Sequence, residues 1–400
     1  MQKTRILIVG GGYGGLKTAM TLQKKHADAD ITLISKHDYH YQTTLLHKVA
    51  IGTLSERKAK IYYRELLKQV KFIKDKVMEI CPEKNQVIGK INNYSYDILV
   101  ISLGFKADYF GIKGAKEHTY KLSSLNAALR LCRHIEWKFK DYHITKEKNN
   151  LSFIVCGTGF TGIEFTAELA HDIQRVCRIY GLNKEDIKIT CVGRSKRILP
   201  VFDEKLSLKA EKKLKDLGVN IINGATVEEC QKDGIIITKD GKKEKIFGNT
   251  ILWSTGVKGN DTVEYYSKIN SQKGRIKVDS KLRSIDYENI YVVGDCAIFG
   301  QKDVICAPTA QIAAQMGEYV GNLLNDKLKG KETKKDFYFI NRGSICSIGH
   351  TDAVGKVFNK NISGKFGAFM KNLVENRWLF GIGGLKMVFK KGQFRYRSSD

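Results

Sequence analysis

The fold of this chain is decided by the stretch Ile6-Leu7-Ile8-Val9-Gly10-Gly11-Gly12-Tyr13-Gly14-Gly15. An apolar run typical of a buried parallel strand leads into G-x-G-x-x-G, and a helix-compatible stretch follows at 16–25. The first glycine makes a tight turn, the second lets the backbone approach a pyrophosphate, and the third lets helix and strand pack closely. The helix start also favours negative charge. The stretch therefore predicts a parallel α/β unit that binds a dinucleotide.

A second copy of this motif follows in Phe153-Ile154-Val155-Cys156-Gly157-Thr158-Gly159-Phe160-Thr161-Gly162. It too lies between an apolar run and a helix-compatible stretch, at 163–179. One copy alone is weak evidence, but two copies in strand–turn–helix context predict two dinucleotides held by one protein. Two held dinucleotides indicate electron transfer between them.

Periodicity predicts the other elements of the two units. Further strands are expected at 31–34, 96–104, 187–192, 219–227, 235–239, 251–257, 289–295 and 345–349, and further helices at 59–68 and 122–140. Segment 38–53 has few helix signals. The acid that usually binds a ribose about 20 residues after the first motif is missing. Ser35 and Lys36 stand there instead.

Composition narrows the classes of protein. Lysine and arginine total 68 against 42 acids, a net charge of +26. That excess is either solvated or meets an anionic membrane, phosphate-bearing cofactors or nucleic acid. Nine cysteines contain no C-x-x-C pair, so we expect reduced, buried thiols in a cytosolic protein and no metal site. We expect neither a signal peptide nor a membrane-spanning segment, which leaves a soluble or peripherally attached protein.

The arrangement resembles the two-dinucleotide-binding-domain flavoproteins, and more narrowly the type II NAD(P)H:quinone oxidoreductases. Segment 38–47, Asp-Tyr-His-Tyr-Gln-Thr-Thr-Leu-Leu-His, is similar to that family's loop beside the flavin. Segment 159–169 resembles its extended nucleotide motif, and 307–317 resembles its A-Q-x-A-x-Q-x-G quinone-site signature. Two departures stand out, because relatives often carry acids where this chain has Gln42 and Arg194. The resemblance covers residues 5 to about 390.

The resemblance implies two sets of cofactor-binding residues. For FAD they are Gly10, Gly12, Tyr13, Gly14, Gly15, Ser35, Lys36, Thr44, Val77, Leu103, Gly104, Gly294, Asp295, Ala310 and Gln311. For NADH or NADPH they are Gly157, Gly159, Phe160, Thr161, Gly162, Ile163, Glu164, Arg194 and Gly256. Arginine at position 194 favours a 2′-phosphate, where a carboxylate would repel it. We therefore expect NADPH to be accepted.

Three residues are candidates for a catalytic role. Glu168 follows Glu164 by four residues, so both lie on one helical face. They form either an exposed surface pair or, as the resemblance implies for Glu168, a site in which a buried carboxylate of raised pKa gates or relays protons. Gln311 and Gln315 share the same spacing among small residues. Their amides either bond a quinone carbonyl or a flavin oxygen, or they are polar residues at exposed positions of an ordinary alanine-rich helix.

Histidines and cysteines support weaker hypotheses. His40 and His47 are possible proton donors, but a loop histidine is more often structural. Cys156 and Cys346 are expected in the core. This matters because sulfide:quinone oxidoreductases share the architecture and need reactive cysteines. A nucleotide-sensing or nucleic-acid-binding flavoprotein is the rival from another class, although we expect no nucleic-acid partner.

The carboxyl-terminal stretch mixes apolar residues and cations. Residues 366, 369, 370, 373 and 374 define one apolar helical face, and the cations around it are Lys365, Lys371, Arg377, Lys386, Lys390, Lys391, Arg395 and Arg397. Such a segment lies in the interface of an anionic bilayer. The alternative is a helix that docks on the protein's own core or on a second subunit.

Together these patterns predict an α/β protein with two Rossmann-like dinucleotide-binding domains, for FAD and NAD(P)H, and a membrane-associating carboxyl-terminal segment. The FAD domain is expected at 1–120 and 265–330, the NAD(P)H domain at 121–264 and the carboxyl-terminal domain at 331–400. The resemblance implies non-pumping electron transfer from NADH or NADPH to a menaquinone-like quinone. It also implies a homodimer attached peripherally to the cytoplasmic face of the cell membrane.

Overall fold

The computed structural model describes residues 3–302 and 304–394, so Arg395 and Arg397 of the expected basic segment lie outside the described residues. The chain forms two compact units. The first contains residues 1–41, 60–106 and 257–341, and the second contains 42–59, 107–256 and 342–400. The three-domain division expected from the sequence stays a prediction.

The helices are of very different lengths. In chain order they are α1 Tyr13–Lys24, α2 Leu46–Ile51, α3 Glu56–Ala59, α4 Tyr63–Leu66, α5 Ala115–His118, α6 Leu125–Thr145, α7 Phe160–Tyr180, α8 Glu204–Asp216, α9 Asp261–Tyr266, α10 Ala310–Leu328 and α11 Gly364–Lys391. Short 3₁₀ turns lie at Thr43–Leu45, Pro82–Lys84, Lys148–Leu151, Lys184–Asp186 and Gly294–Cys296. Among the described residues, none of these helices combines the length and apolar character that crossing a bilayer requires.

The first unit is built on a parallel sheet of five strands. Their spatial order is Ile290–Val292, Ile98–Ile101, Thr4–Val9, Ala29–Ser35 and Lys71–Lys74. α1 follows the central strand, and its small residues pack closely on α10. Smaller sheets comprise Tyr39–His40 with Ile61–Tyr62, Val77–Cys81 with Gln86–Gly89 and Asn93–Ser95, Ser271–Gln272 with Arg275–Lys277 and Ala297–Ile298, and Gly300–Gln301 with Val304–Ile305.

The second unit repeats the plan with a parallel sheet of four strands. Their spatial order is Asn220–Asn223, Lys188–Gly193, Ser152–Cys156 and Thr250–Trp253. Two antiparallel sheets accompany it, Thr226–Gln231 with Gly234–Lys239 and Lys242–Phe247, and Gly343–Ser347 with Ala353–Val357 and Lys360–Ser363. The remaining short strands are Lys106–Ala107 and Val257–Lys258. Both predicted strand–turn–helix units are thus confirmed.

Three local predictions were wrong. The helix expected at 59–68 is a strand at Ile61–Tyr62 and a one-turn helix at Tyr63–Leu66, because the strand pairs with Tyr39–His40. The irregular segment 38–53 contains the helix Leu46–Ile51, whose side chains are mostly buried and whose end is set by Gly52 at φ 81°. The single strand expected at 219–227 is broken at Gly224, which adopts φ 73° and separates strands of two sheets.

α11 consists of two helical segments. Gly384, at φ 64° and ψ −165°, interrupts the helix. Beyond this break the chain bonds back to the first segment, because the Asn376 amide donates to the Gln393 carbonyl and accepts from the Gln393 N–H at 2.9 and 2.8 Å. A short helical segment therefore folds back beside a longer one.

Candidate functional site

The glycine motif of the first unit has the geometry of a phosphate-binding turn. Gly10 adopts φ +100°, which favours glycine, and a Cβ on Gly15 would lie 2.0 Å from the Gly10 carbonyl oxygen. Gly12 caps α1 without a side-chain hydrogen bond, and a Cβ built there meets nothing within 4 Å. Open space beside Gly12, at the start of a helix whose first N–H groups have no partner inside it, fits the pyrophosphate of FAD.

The other predicted turns of the first unit lie at the same end of its sheet. The Gly104 carbonyl accepts a hydrogen bond from the Cys296 thiol at 3.2 Å. A Cβ on Gly10 would meet the Ser102 carbonyl, which immediately precedes the turn at Leu103. Gly294 follows the strand Ile290–Val292, and burial raises the pKa of the adjacent Asp295 to about 6, with Arg275 offsetting part of the effect. Burial removes the hydrogen bonds of the Asp295 carboxyl to water, and hydroxyl groups of the FAD ribityl chain would replace them by donating to it.

The remaining residues predicted for FAD do not all belong to the first unit. Tyr13, Gly14, Ser35, Lys36, Val77, Ala310 and Gln311 do. Thr44 lies in the 3₁₀ turn Thr43–Leu45, which belongs to the second unit. Lys36 is exposed, and burial of its stem together with the charges of Lys106 and Lys76 lowers its pKa. The position that often carries an acid therefore carries a lysine here, next to two further lysines.

The two glutamines predicted for a quinone lie in the first two turns of α10. Thr309 caps this helix by accepting from the Ile312 N–H. The Gln315 amide donates to the Ile340 carbonyl and accepts from the Ile340 N–H, both at 3.0 Å. Gln315 thus holds the backbone at residue 340, which uses one of the two amide hydrogens and one of the two oxygen lone pairs of its side chain.

The second glycine motif has nearly the same geometry as the first. Gly157 adopts φ +119°, a Cβ on Gly162 would lie 2.0 Å from the Gly157 carbonyl, and Gly159 faces open space. Gly159 caps α7 without a side-chain hydrogen bond. Arg194 is exposed immediately after the strand Lys188–Gly193. The second unit therefore offers an open helix start for a nucleotide pyrophosphate and a cation one strand away.

The helix that follows this motif carries two buried carboxylates. Glu164 accepts hydrogen bonds from the N–H and hydroxyl of Ser347, both at 3.1 Å, and forms an ion pair with Lys371 at 2.8 Å. Glu168 is fully buried and accepts from the Thr53 hydroxyl. The alternative of an exposed surface pair is therefore wrong.

The pKa of Glu168 differs from the expected value. Burial raises it, but the hydrogen bond and charge of His350, 3.3 Å away, and the charges of His47 and Lys48 outweigh burial. The net effect lowers the pKa of Glu168 to about 2. The expectation of a raised pKa was thus wrong, because the sequence did not reveal the cationic neighbours.

Three further titratable groups complete this buried cluster. Burial lowers the pKa of His47 to about 4 despite the nearby Glu164, 3.8 Å away, so His47 is neutral at pH 7. Burial also lowers the pKa of Lys371, but Glu164 and Glu375 outweigh it and raise the pKa above its usual value. Burial raises the pKa of Glu375, which lies 3.6 Å from Lys371. The cluster therefore combines two carboxyl groups of lowered pKa, an ammonium, a neutral imidazole and a carboxyl group of raised pKa.

Several residues of the buried cluster around Glu164 and Glu168 were not predicted from the sequence. Thr53, His350 and Glu375 were not singled out, and Lys371 was taken for a surface cation. The i, i+4 spacing of Lys371 and Glu375 was the available signal. His47, considered as a proton donor, lies in the cluster, whereas His40 belongs to the first unit.

The cysteines are confirmed as free thiols. All nine lie within the described ranges, six buried and three half-buried. Cys156 and Cys346 are buried, as expected for core residues. A hydrogen bond with the Cys230 thiol, together with burial, raises the pKa of Cys156, and burial raises that of Cys346. Neither environment favours a reactive thiolate.

The apolar face expected in the carboxyl-terminal helix is largely exposed. Its exposed members are Phe366, Phe369, Leu373 and Val374, and beyond them Phe380, Leu385 and Phe389 are exposed as well. Lys365, Arg377, Lys386 and Lys390 are exposed nearby. Lys371 and Lys391 are buried, so their assignment to the outer face was wrong. The opposite face of the same helix docks on its own unit through Lys371.

Comparison with known proteins places these features in a family. The model for pyridine nucleotide-disulphide oxidoreductases matches residues 4–317. A type II NADH:quinone oxidoreductase of Staphylococcus aureus is 39% identical over 401 residues, which is 98% of this chain and 99% of that protein.

Solved structures share the fold. NDH2 from Plasmodium falciparum in complex with NADH has a TM-score of 0.87 at 22% identity and covers 98% of both chains. A sulfide:quinone oxidoreductase from Aquifex aeolicus has a TM-score of 0.78 at 19% identity, with 95% of this chain and 91% of that one covered. At these identities the likeness indicates the architecture alone.

Proposed function

The chain belongs to the pyridine nucleotide-disulphide oxidoreductases and, among them, to the type II NADH:quinone oxidoreductases, and on this premise we propose how its residues serve the reaction. The enzyme transfers two electrons from NADH to a quinone through FAD. In the balanced reaction, NADH, a proton and the quinone give NAD⁺ and the quinol. FAD, when bound, accepts the electron pair as hydride and passes it to the quinone.

One observation carries this proposal: two parallel sheets each end in a glycine turn with open space at a helix start, at Gly12 and Gly159. We assign the first turn to the FAD pyrophosphate and the second to that of NADH. The purified protein should be yellow, NADH should bleach it, and added quinone should restore the colour. Folded protein that stays colourless after incubation with FAD would contradict the assignment.

We assign the buried cluster of the second unit to proton uptake during quinone reduction. Glu168 is ionised at neutral pH and, with a pKa of about 2, is a weak base, so it supplies negative charge to the cluster. Lys371 supplies an ammonium next to Glu164, and burial raises the pKa of Glu375. Glu168→Gln should slow reoxidation by quinone at least about tenfold while NADH still bleaches the flavin. Stopped-flow absorbance separates the two half-reactions. Equal slowing of both would indicate a role in structure or NADH binding instead.

We propose that this enzyme also accepts NADPH. Arg194 stands exposed after the second strand of the nucleotide unit, where it would neutralise a 2′-phosphate. Steady-state kinetics with both nucleotides test this, and Arg194→Glu should raise the KM for NADPH about tenfold with little change for NADH. Lys196→Glu, an exposed cation two residues away, is the control. Strict use of NADH by the unaltered enzyme would refute the proposal.

We propose that the enzyme attaches peripherally to the cytoplasmic face of the membrane and uses a menaquinone-like quinone. Support comes from the exposed apolar side chains of α11 and its exposed cations Lys365, Arg377, Lys386 and Lys390. Replacing Phe366, Phe369 and Leu373 by Ser should release the protein from vesicles with anionic lipid. The same changes at exposed Val201 and Leu208 are the control. Binding that survives the first set would locate attachment elsewhere.

A homodimer is a further proposal, which the family resemblance supports and sedimentation velocity would test. Two alternatives have specific arguments against them. A sulfide mechanism needs reactive thiols, whereas burial raises the pKa of Cys346 and helps raise that of Cys156. Full quinone reduction by the Cys156→Ser, Cys346→Ser variant would exclude it. Salt-sensitive DNA binding without quinone turnover would instead favour the nucleic-acid-binding alternative.

A further inference from the structure

The carbonyl of Gly11, inside the first glycine turn, is held by two side chains. It accepts a hydrogen bond from the Tyr63 hydroxyl at 2.6 Å and lies 3.2 Å from His40 Nδ1. Because a carbonyl only accepts, Nδ1 carries the hydrogen of the neutral imidazole. Burial lowers the pKa of His40 to about 4, so this neutral form is present at pH 7. Both side chains are almost completely buried.

Gly11 is not one of the three glycines that the motif requires, yet a side chain at this position would displace Tyr63. A Cβ there would lie 2.0 Å from the Tyr63 hydroxyl oxygen. The same hydroxyl interacts with Ser35, at the end of the next strand. The bare backbone at Gly11 therefore allows Tyr63 to join the turn to the strand end at which FAD is expected.

The orientation of this peptide group decides what the turn offers to a phosphate. A trans peptide is planar, so the Gly11 carbonyl and the Gly12 N–H point in opposite directions. Gly10, Gly11 and Gly12 form a run of three glycines, whose backbone is the most permissive. Holding the carbonyl against Tyr63 and His40 keeps the Gly12 N–H directed away from them, at the start of α1, where a Cβ on Gly12 would meet nothing within 4 Å.

The second glycine turn is held differently. The residue equivalent to Gly11 is Thr158, a β-branched residue with a more restricted backbone, whose side chain packs against Gly193. Its carbonyl accepts one main-chain hydrogen bond, from the Leu199 N–H at 2.8 Å. The two turns thus share the glycine geometry but differ in the side chains behind them.

We infer that Tyr63 and His40 are positioning residues that determine how long FAD stays bound, by fixing the Gly11–Gly12 peptide in its phosphate-binding orientation. FAD remains through many turnovers, whereas NADH must leave after each one. The first turn is held by two hydrogen bonds from buried side chains, and the second by one hydrogen bond from the main chain. The more firmly held turn is thus the one assigned to the cofactor that stays bound. The inference rests on the proposed assignment of FAD to the first unit.

The test compares FAD release from the holoenzyme after dilution, followed by flavin fluorescence. Tyr63→Phe keeps the ring and removes the shorter bond, and FAD should leave about tenfold faster. His40→Phe should increase release about threefold. Tyr319→Phe is the matched control, because the Tyr319 hydroxyl also donates to a main-chain carbonyl of the first unit, that of Lys335, at 2.8 Å. Its FAD should leave at the unaltered rate.

The outcomes distinguish a positioning role from a merely structural one. The activity that the Tyr63→Phe enzyme loses on dilution should return when FAD is added in excess, whereas the Tyr319→Phe enzyme should keep kcat and the KM for NADH within about twofold of the original throughout. A similar increase in FAD release for Tyr63→Phe and Tyr319→Phe would overturn the inference, as would unchanged release from Tyr63→Phe. If the unaltered protein holds no FAD, the proposed function fails first. If it holds FAD and Tyr63→Phe holds it equally long, only this inference fails.

Discussion

The two glycine turns share the positive φ of their first glycine and the 2.0 Å approach of their last glycine to a backbone carbonyl. The helices that follow them bury different kinds of side chain. α1 buries glycine, threonine and apolar side chains, and a Cβ on Gly317 of α10 would lie 2.2 Å from the Gly14 carbonyl. α7 instead buries three acidic side chains, those of Glu164, Glu168 and Asp172. The same strand–turn–helix unit is therefore followed in the first unit by a closely packed helix pair and in the second unit by a helix that carries buried charges.

The largest expected effect tests whether the two turns bind different dinucleotides. Gly15→Ala and Gly162→Ala each place a Cβ 2.0 Å from a backbone carbonyl, so the turn must shift. Overpacking against backbone should weaken binding about 100-fold. Gly15→Ala should yield colourless protein, whereas Gly162→Ala should remain yellow and lose bleaching by NADH. Absorbance spectra before and after NADH addition measure both.

Gly381→Ala is the matched control for these two variants. An added Cβ meets nothing within 4 Å there, so colour and bleaching should be unchanged. If both turn variants lost FAD equally, the assignment of one dinucleotide to each turn would be refuted.

The next effect probes the charged cluster, which has no counterpart on α1. Lys371→Met leaves Glu164 buried without the ammonium that lies 2.8 Å away, and should cost about 3–5 kcal/mol in the free energy of unfolding. Lys371→Met combined with Glu164→Gln should recover part of that loss, because the side chain at position 164 no longer carries an uncompensated charge. Denaturant unfolding of the three variants measures the coupling.

Lys215→Met is the control for the ion pair. Lys215 also pairs with a glutamate, Glu211, at 2.7 Å, but its side chain is 59% exposed. Its loss should change the free energy of unfolding by less than about 1 kcal/mol. An equally small effect of Lys371→Met would show that the buried charges are not interdependent.

The features that the two units share were predictable from the sequence, whereas the charged cluster of the second unit was not. Period-2 and 3.6-residue patterns and the glycine spacing predicted both sheets and the helices that follow the turns, because these features are local. The cluster was not predictable, since Thr53, Glu164, His350 and Lys371 come from four separate segments. The helix Leu46–Ile51 was missed for the same reason, because tertiary burial rather than local propensity favours it.

Carboxyl groups of the two units should respond to pH with opposite signs. The pKa of Glu168 is lowered to about 2, so its stabilisation is complete above its unfolded pKa and is lost as the pH falls from about 4.5 towards 2. The pKa of Asp295 is raised to about 6 by burial, so its contribution is complete below about 3.8 and is lost as the pH rises through 6. Each amounts to about 3 kcal/mol at most.

Urea unfolding of flavin-free protein at several pH values tests this pair. Glu168→Gln should flatten the loss of stability in acid, and Asp295→Asn should flatten the loss between about pH 4 and 7. Flavin-free protein is needed because bound FAD would change the surroundings of Asp295. The same pH response in both variants and the unaltered protein would contradict the assigned directions.

The smallest effect distinguishes two serines that lie beside equivalent glycines. Ser102 accepts a hydrogen bond from the Gly15 N–H at 2.9 Å, one of the helix-start donors that has no partner inside α1. Ser254 instead donates to the Cys156 carbonyl, which also accepts the Ser254 main-chain N–H. Ser102→Ala leaves a buried N–H unsatisfied, whereas Ser254→Ala leaves the carbonyl with a donor.

We therefore expect Ser102→Ala to cost about 1–2 kcal/mol of stability and Ser254→Ala less than about 1 kcal/mol. FAD affinity should fall several-fold in the first variant alone, because only there does the turn lose a bond that orders the helix start. Fluorescence titration with FAD and thermal unfolding measure the two effects separately. A larger loss from Ser254→Ala would mean that the second turn, not the first, depends more on side-chain support.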